Sequence, residues 1–169
     1  MSALSVPTAD LCDRHADRVA QGLLQIARPA WVALGARASF QGPVATVQAP
    51  QDNSMVRALL EEPGLGRVLV VDGGGSLECA LVGGNLAQLA AEHDWSGIIV
   101  NGCVRDADEI DRCALGLRAL ATHPRRSDKR GLGARDLVLS FAGVSIRPGD
   151  WIYADRDGWL VSTGGPLPA

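Results

Sequence analysis

Arg67-Val-Leu-Val-Val-Asp72, followed at once by Gly73-Gly74-Gly75, is the stretch of sequence that decides the fold. Its consecutive apolar residues, bounded by glycines, are typical of a strand buried on both faces of a parallel sheet. A second run of this kind is Gly97-Ile-Ile-Val-Asn101, and a helical pattern from Asn85 to about Glu92 lies between the two. Strand, helix and strand in this order predict a βαβ unit, and with it an α/β fold.

The sequence before this unit predicts two helices and a strand. Thr8 stands where a residue that caps a helix is expected. The apolar residues between Arg37 and Val47 predict a strand. Asp52 or Asn53 is then placed to cap a short helix, which ends at the Pro-Gly pair after Glu62.

The sequence after the unit is rich in strand patterns. Residues 115–121 predict another strand, whereas residues 124–135 carry several basic side chains and predict a solvated loop. Residues 151–154 and 159–162 predict a hairpin that turns at Asp157-Gly158. The elements on both sides therefore extend the predicted sheet.

Length, composition and charge exclude several classes of protein. The chain has 169 residues, 47% of them hydrophobic and 21% charged, which is ordinary for a folded protein. At roughly 150 residues per domain, we expect one domain over residues 1–169. The net charge of −3 argues against a surface that neutralises many phosphates, so no direct contact with nucleic acid is expected.

Residues 1–10 do not combine a basic region with a long apolar stretch, as a targeting segment would. The most apolar runs, residues 68–71 and 98–100, are far shorter than the roughly 18 residues that span a bilayer. The four cysteines contain no CxxC pair, which favours free, buried thiols in a reducing compartment. We therefore expect a cytoplasmic protein without membrane contact.

Several common catalytic motifs are incomplete in this chain. A dinucleotide-binding loop at the triple glycine would need a glycine where Glu78 stands, and a serine nucleophile at Ser76 would need one at the same position. Asp155-Arg-Asp157-Gly158 resembles the start of a calcium loop, but strand-like residues follow it and the terminal glutamate is missing. A hairpin turn is the preferred interpretation of that segment.

The remaining constellation combines a glycine-rich helix start with an Arg-Asp pair. Gly83, Gly84, Asn85 and Leu86 begin the predicted helix, and Arg105-Asp106 follows the next strand. Both would lie at the carboxyl edge of the sheet, where ligands usually bind. Helix N-terminal N–H groups and a guanidinium attract a carboxylate, and an aspartate can bind Mg²⁺. On chemistry alone, an ordinary surface loop explains the Arg-Asp pair equally well.

Several segments, taken in order, resemble one known family, and together they span nearly the whole chain. They are Thr8-Ala-Asp-Leu-Cys-Asp13, Gly66 to Ser76, Ala80-Leu-Val-Gly83, Gly102-Cys-Val-Arg-Asp106, Phe141-Ala-Gly-Val144 and Tyr153-Ala-Asp155. The family is that of the regulator of ribonuclease E activity A (RraA-like). It overlaps the class II pyruvate aldolases, including 4-hydroxy-4-methyl-2-oxoglutarate aldolase.

This resemblance implies a fold, an assembly and a chemistry. The fold is a three-layer swivelling β/β/α domain, assembled as a homotrimer, or as a hexamer of paired trimers, with sites near subunit interfaces. By position, Arg105 would hold the pyruvyl part of a 2-oxo acid and Asp106 would ligate Mg²⁺ or Mn²⁺. The helix start from Gly83 to Leu86 would bind the substrate carboxylate. Aldol cleavage and oxaloacetate decarboxylation would both proceed through a pyruvate enolate stabilised by the metal.

The chain departs from the aldolase pattern at one position. The aldolases carry an aspartate at a fixed spacing before the Arg-Asp pair, and this chain has Gly84 there. Aldol cleavage must remove a hydroxyl proton, whereas decarboxylation need not, so losing a base harms the first reaction more. We therefore expect weak or absent aldolase activity with decarboxylation better retained. Asp72 and Glu78 could replace the missing carboxylate, although turn or surface roles suit both residues.

The resemblance also implies a function of another class. Members named as regulators inhibit ribonuclease E by protein contact. The net charge of −3 is compatible with docking to basic segments of a partner. The missing carboxylate at Gly84 favours this binding role, whereas the Arg105-Asp106 pair favours catalysis. A metal-dependent lyase is the preferred interpretation, and a non-enzymatic regulator is the alternative.

Overall fold

The computed structural model describes residues 6–169, so the first half of the segment considered for targeting lies outside the described residues. The helices are α1 (Thr8–Arg14), α2 (Ala16–Ala20), α3 (Ser54–Leu60), α4 (Gly84–Glu92) and α5 (Ala107–Ile110). The strands are β1 (Leu24–Ile26), β2 (Val32–Leu34), β3 (Phe40–Gln48), β4 (Val68–Asp72), β5 (Ala80–Val82), β6 (Gly97–Val104), β7 (Gly116–Thr122), β8 (Ala134–Arg135), β9 (Leu139–Phe141), β10 (Val144–Ile146), β11 (Trp151–Ala154) and β12 (Trp159–Ser162).

The centre of the molecule is a parallel arrangement of β3, β4, β6 and β7, and it contains the predicted βαβ unit. β4 pairs with β6 from Val68 opposite Gly97 to Asp72 opposite Asn101, and α4 connects them. β2 runs antiparallel along the outer side of β7. The short strand β5, which the sequence pattern did not predict, pairs with the end of β6 and leads directly into α4.

Side chains of the central strands alternate between two cores, as buried parallel strands require. Leu69 and Val71 of β4 point into a core shared with the helices α3 and α4. Val68 and Val70 point to the other side, where they pack with residues of β9 to β12, including Trp159. Helices, central sheet and a second β layer therefore form three layers. The predicted α/β fold class is confirmed, as is the β/β/α arrangement.

One strand joins the two β layers. The first half of β3, Phe40 to Pro43, pairs antiparallel with β11, and its second half, Val44 to Gln48, pairs parallel with β4. At the point of exchange a Cβ on Gly42 would overlap the backbone carbonyl oxygen of Gly66. Glycine is therefore required where the strand passes from one sheet to the other.

The first helix differs from its prediction. Thr8 does not cap it, because α1 begins at Thr8 itself after Pro7. Instead, the Thr8 backbone N–H and hydroxyl donate to the two carboxylate oxygens of Asp155, at 2.7 Å and 2.8 Å. His15 separates α1 from α2, which begins at Ala16. The residue expected to start a helix therefore ties that helix to the end of β11.

The start of α3 differs from its prediction, because Asn53 occupies the capping position but its side chain makes no capping hydrogen bond. An Asp52 carboxylate oxygen, one residue earlier, accepts the backbone N–H of Ser54, the first helical residue, at 2.9 Å. The Asn53 side chain donates instead to the Leu81 carbonyl oxygen. The hairpin of β11 and β12 is confirmed with its predicted bounds.

Two further expectations concern the cysteines and membrane contact. All four cysteines are free, as predicted, but only Cys79 and Cys103 are buried, whereas Cys12 and Cys113 are partly exposed. Within residues 6–169, no helix has both the length and the apolar character that crossing a membrane requires.

Candidate functional site

A cavity of about 280 Å³ opens where α4 begins and β6 ends, at the carboxyl edge of the central strands. The start of α3 and the loop after β7 complete its wall. Among the residues proposed from sequence, the cavity is lined by Gly83, Asn85, Leu86, Arg105 and Asp106. The fold therefore brings five of the six candidates together, and Gly84 lies immediately behind them.

Asp106 is held against the helix start by both its backbone and its side chain. Its φ of 61° and ψ of 47° lie in the left-handed region, which aspartate tolerates better than most residues. One carboxylate oxygen accepts the backbone N–H of Gly84 at 3.0 Å. The side chain is otherwise exposed, so it presents further oxygen lone pairs to the solvent and the cavity.

Arg105 lies beside Asp106 at the end of β6. Its backbone N–H donates to the Val82 carbonyl oxygen at 3.0 Å, which anchors the residue to β5. Its guanidinium Nη1 reaches the Pro124 carbonyl oxygen only at 3.5 Å, the length of a weak hydrogen bond. The guanidinium therefore keeps strong donors for a ligand.

Gly83 leaves space for both of these side chains. A Cβ at this position would lie 2.9 Å from an Asp106 carboxylate oxygen and 3.4 Å from Arg105 Cγ. Gly83 is also the residue before α4, whose first N–H groups have no acceptor within the helix. Glycine thus lets a ligand approach the positive end of α4 closely.

The remaining charged residues of the lining make the cavity strongly basic. Arg57, Arg126 and Lys129 line it together with Arg105, and Asp106 is the one acidic residue in the lining. The basic loop was predicted to be merely solvated. The structure places two of its side chains at the cavity and pairs a third, Arg135, with Glu62 at 2.6 Å. A cavity with this charge favours an anionic ligand.

Glu109 is the residue that the sequence analysis missed. Gly84 faces a neighbouring cavity of about 620 Å³, which Glu109 also lines. A Cβ on Gly84 would overlap a carboxylate oxygen of Glu109 and lie 2.9 Å from its Cβ. A carboxylate from α5 therefore occupies the space that a side chain at position 84 would enter. The Arg-Asp-x-x-Glu spacing, which places Glu109 one helical turn after Asp106, was the available signal.

The two other acidic residues considered for this role do not line the cavity. An Asp72 carboxylate oxygen accepts the Gly74 backbone N–H and the Asn101 side-chain amide, both at 2.9 Å. Glu78 is exposed in the following turn. Asp72 therefore stabilises the glycine turn, and Glu78 has a surface position.

The donor set suits a hard divalent cation bound by few protein ligands. In the part of the chain that the structure describes, no three His, Cys, Asp or Glu side chains converge as a metal-binding group. Mg²⁺, however, typically uses one or two carboxylates and keeps several waters. The exposed Asp106 carboxylate, with one oxygen bonded to Gly84, fits such a cation, and substrate and water oxygens would complete its coordination.

Comparison with known proteins identifies relatives over nearly the whole chain. Residues 8–161 match the RraA-like family model, described as Aldolase/RraA. A protein of Burkholderia mallei (strain SAVP1), provisionally named 4-hydroxy-4-methyl-2-oxoglutarate aldolase, is 58% identical over 155 residues. The aligned region covers 92% of this chain and 94% of that protein.

Solved structures confirm the fold and carry other names. The RNA-processing inhibitor RraA from Thermus thermophilis matches with a TM-score of 0.90 and 41% identity, covering 98% of this chain and 97% of that one. A Geobacillus kaustophilus HTA426 protein named S-adenosylmethionine:2-dimethylmenaquinone methyltransferase matches with a TM-score of 0.88 and 44% identity, covering 96% and 97%. Because these names describe different activities, the choice among them rests on the site.

Proposed function

Because the chain belongs to the RraA-like family, we propose that it is a divalent-metal-dependent carbon–carbon lyase that acts on 2-oxo acids. The observation that carries this proposal is the meeting of Arg105, Asp106 and the start of α4 at one basic cavity. An inhibitor that acts only by protein contact has no need of an anion-binding arginine beside an exposed carboxylate. The substrates are oxaloacetate and 4-hydroxy-4-methyl-2-oxoglutarate.

Arg105 and the helix start bind and orient the substrate. The guanidinium and the N–H groups of α4 hold the carboxylate next to the 2-oxo group, which directs that group toward Asp106. Asp106 would hold a divalent cation, which would supply Lewis-acid polarisation of the 2-oxo group. When the carbon–carbon bond breaks, its electron pair remains on the pyruvyl part as an enolate, and the positive charge of Arg105 stabilises it. A proton from water then completes pyruvate.

The two reactions differ in their need for a base. Oxaloacetate loses carbon dioxide without giving up a proton, whereas aldol cleavage requires removal of the 4-hydroxyl proton. Gly84 cannot take part in that removal, and Glu109 is the acidic residue that fills the space beside it. We propose that decarboxylation is the faster reaction of this protein and that Glu109 supports the remaining aldol cleavage.

Pyruvate release from oxaloacetate by the purified protein tests the proposal. We expect activity with Mg²⁺ above the metal's own background, and its loss with EDTA and in Asp106→Ala. Asp108→Ala is the matched control, because Asp108 is an exposed acid of α5 outside the cavity lining and should retain activity. If no activity above background is found under any condition, the protein is not this lyase.

A second candidate function is inhibition of ribonuclease E by protein contact. It is favoured by the structural match to an RNA-processing inhibitor over 98% of this chain. A pull-down with the ribonuclease, using the wild-type protein and Asp106→Ala, separates the two functions. Binding that survives Asp106→Ala, in a protein without lyase activity, would support the inhibitor function. Absence of binding would exclude that function.

A further inference from the structure

The cavity has further positive side chains besides that of Arg105. Arg126 and Lys129, from the loop after β7, also line it. Both side chains are exposed, and neither takes part in an ion pair with a residue in 6–169. Arg57, in contrast, is already paired with Glu61 at 3.1 Å on the surface of α3. The positive charges of Arg126 and Lys129 are therefore available to bind an anionic ligand.

A buried carboxylate holds the part of the loop that carries Lys129. Asp52 is fully buried, and its second carboxylate oxygen accepts the backbone N–H of Arg130. On the other side of Lys129, the Asp128 backbone N–H donates to the Gln51 carbonyl oxygen at 2.9 Å. Both neighbours of Lys129 are thus fixed to the segment that leads into α3.

The hydrogen bonds to Asp52 keep it ionised. Burial alone would raise the pKa of Asp52, but hydrogen bonds from Ser54 and from the backbone N–H groups of Arg130 and Leu132 together lower it below its ordinary value. An ionised buried carboxylate accepts from several N–H groups more strongly than a neutral amide could. The same side chain therefore joins the first residue of α3 to the loop that carries Lys129.

Resting on the proposed function, we propose that Asp52 is a positioning residue that holds Lys129 over the cavity as the binding point for a second substrate carboxylate. Arg105 and the α4 start take the carboxylate beside the 2-oxo group, and Lys129 takes the one at the far end. The site then selects doubly charged 2-oxo acids over singly charged ones. Lysine suits this task because its ammonium is a compact charge on a flexible stem, which can follow carboxylates at somewhat different distances.

Binding of unreactive analogues tests the selectivity without catalysis. L-Malate carries two carboxylates and L-lactate carries one, and their affinities are measured by calorimetry with Mg²⁺ present. We expect the wild-type protein to bind malate at least about tenfold more tightly than lactate, a difference of about 1.4 kcal/mol. Lys129→Gln and Asp52→Asn should each remove most of this preference while leaving lactate affinity unchanged. Equal affinity of the wild type for both acids would overturn the proposal, whether or not the protein is a lyase.

Kinetics distinguish positioning from a merely structural role. In Asp52→Asn we expect KM for oxaloacetate to rise about tenfold while kcat changes less than about twofold, because the reacting groups stay in place. The double variant with Lys129→Gln should be no worse than either single variant, since both remove the same interaction. Asp10→Asn, which removes an exposed ion pair with Arg14 on α1 and lies outside the cavity lining, is the matched control and should keep the wild-type KM.

If Asp52→Asn does not fold, Ser54→Ala replaces it as the test of positioning. The Ser54 hydroxyl accepts the Gly131 backbone N–H at 3.1 Å, so its removal loosens the same loop more gently. We expect a smaller loss of malate preference in the same direction. An unchanged preference in Ser54→Ala, or a fall in kcat without a change in KM, would overturn the positioning role.

Discussion

At the scale of single residues, Gly84 and Glu109 have to be considered together. The overlap between a Cβ at position 84 and the Glu109 side chain means that an aspartate cannot simply be restored there. Overpacking of this kind typically costs about 1–3 kcal/mol. We therefore predict that Gly84→Asp lowers stability and does not raise aldol cleavage, measured as thermal unfolding and as turnover of 4-hydroxy-4-methyl-2-oxoglutarate.

The double variant Gly84→Asp/Glu109→Ala provides the complementary test. Removing the Glu109 side chain opens the space that the new carboxylate needs, so stability should recover and aldol cleavage should exceed that of Glu109→Ala alone. Oxaloacetate decarboxylation should change much less, because it needs no base for a hydroxyl proton. Equal gains in both reactions would contradict the assignment of this position to proton removal.

Among the secondary structure elements, α1 is attached to the end of β11 by hydrogen bonds from Thr8 to the Asp155 carboxylate. Burial by itself would raise the pKa of Asp155, but hydrogen bonds from Thr8, Asp157 and Gly158 lower it below its ordinary value. Because the folded-state pKa is depressed, the stabilisation is complete above the carboxyl's ordinary pKa and is lost as pH falls below it. Protonation of Asp155 should therefore loosen α1 before the rest of the molecule unfolds.

Thr8→Val tests this dependence, since it removes the hydroxyl that donates to Asp155 and keeps the shape of the side chain. We predict a loss of about 1 kcal/mol of unfolding free energy at neutral pH, and a smaller loss in acid, where the wild type has already lost part of the interaction. Urea unfolding at several pH values measures both. A difference between the two proteins that is the same at every pH would contradict the prediction.

The sequence predicts those elements best whose pattern is local. The β4 pattern is continuous and buried on both faces, and its prediction over residues 67–72 agrees with the strand to within one residue. β5 has only three residues and exists because β6 provides its pairing partner, so no local pattern could indicate it. For Glu109 a local signal existed in the Arg-Asp-x-x-Glu spacing, but its contact with Gly84 depends on the packing of α5 against α4, which no local pattern indicates.

The candidate site residues also differ in how well a local pattern predicts them. Arg105, Asp106 and the start of α4 follow from the order of strand and helix, because ligand sites lie at the carboxyl edge of such sheets. Lys129 belongs to a loop whose composition resembles that of any solvated segment, and only the hydrogen bonds from Arg130 and Asp128 to the α3 segment place it at the cavity. The number of charged residues in a loop can be counted from the sequence. Where the fold places those side chains cannot be predicted from it.

At the scale of the whole molecule, we expect self-association into the trimer that the family resemblance implies. Ile26 and Val32 keep 52% and 40% of their surface exposed beside a largely apolar cavity of about 490 Å³, which would favour burial against another copy. Sedimentation should give three times the chain mass of 17.7 kDa. Ile26→Asp should weaken the assembly, whereas Leu65→Asp, at an isolated and 80% exposed turn, should not. A wild-type monomer would refute this expectation.

The passage of β3 through both sheets sets a limit on how the chain can be rearranged. A break anywhere between Phe40 and Gln48 would separate β11 from β4, because these strands have β3 as their common neighbour. Circular permutants with new termini inside β3 should therefore not refold. Permutants with new termini in the exposed turn at Gly74 should still refold to the native topology. In recombination between relatives, both β layers should come from the same parent, because each half of β3 pairs with a different layer.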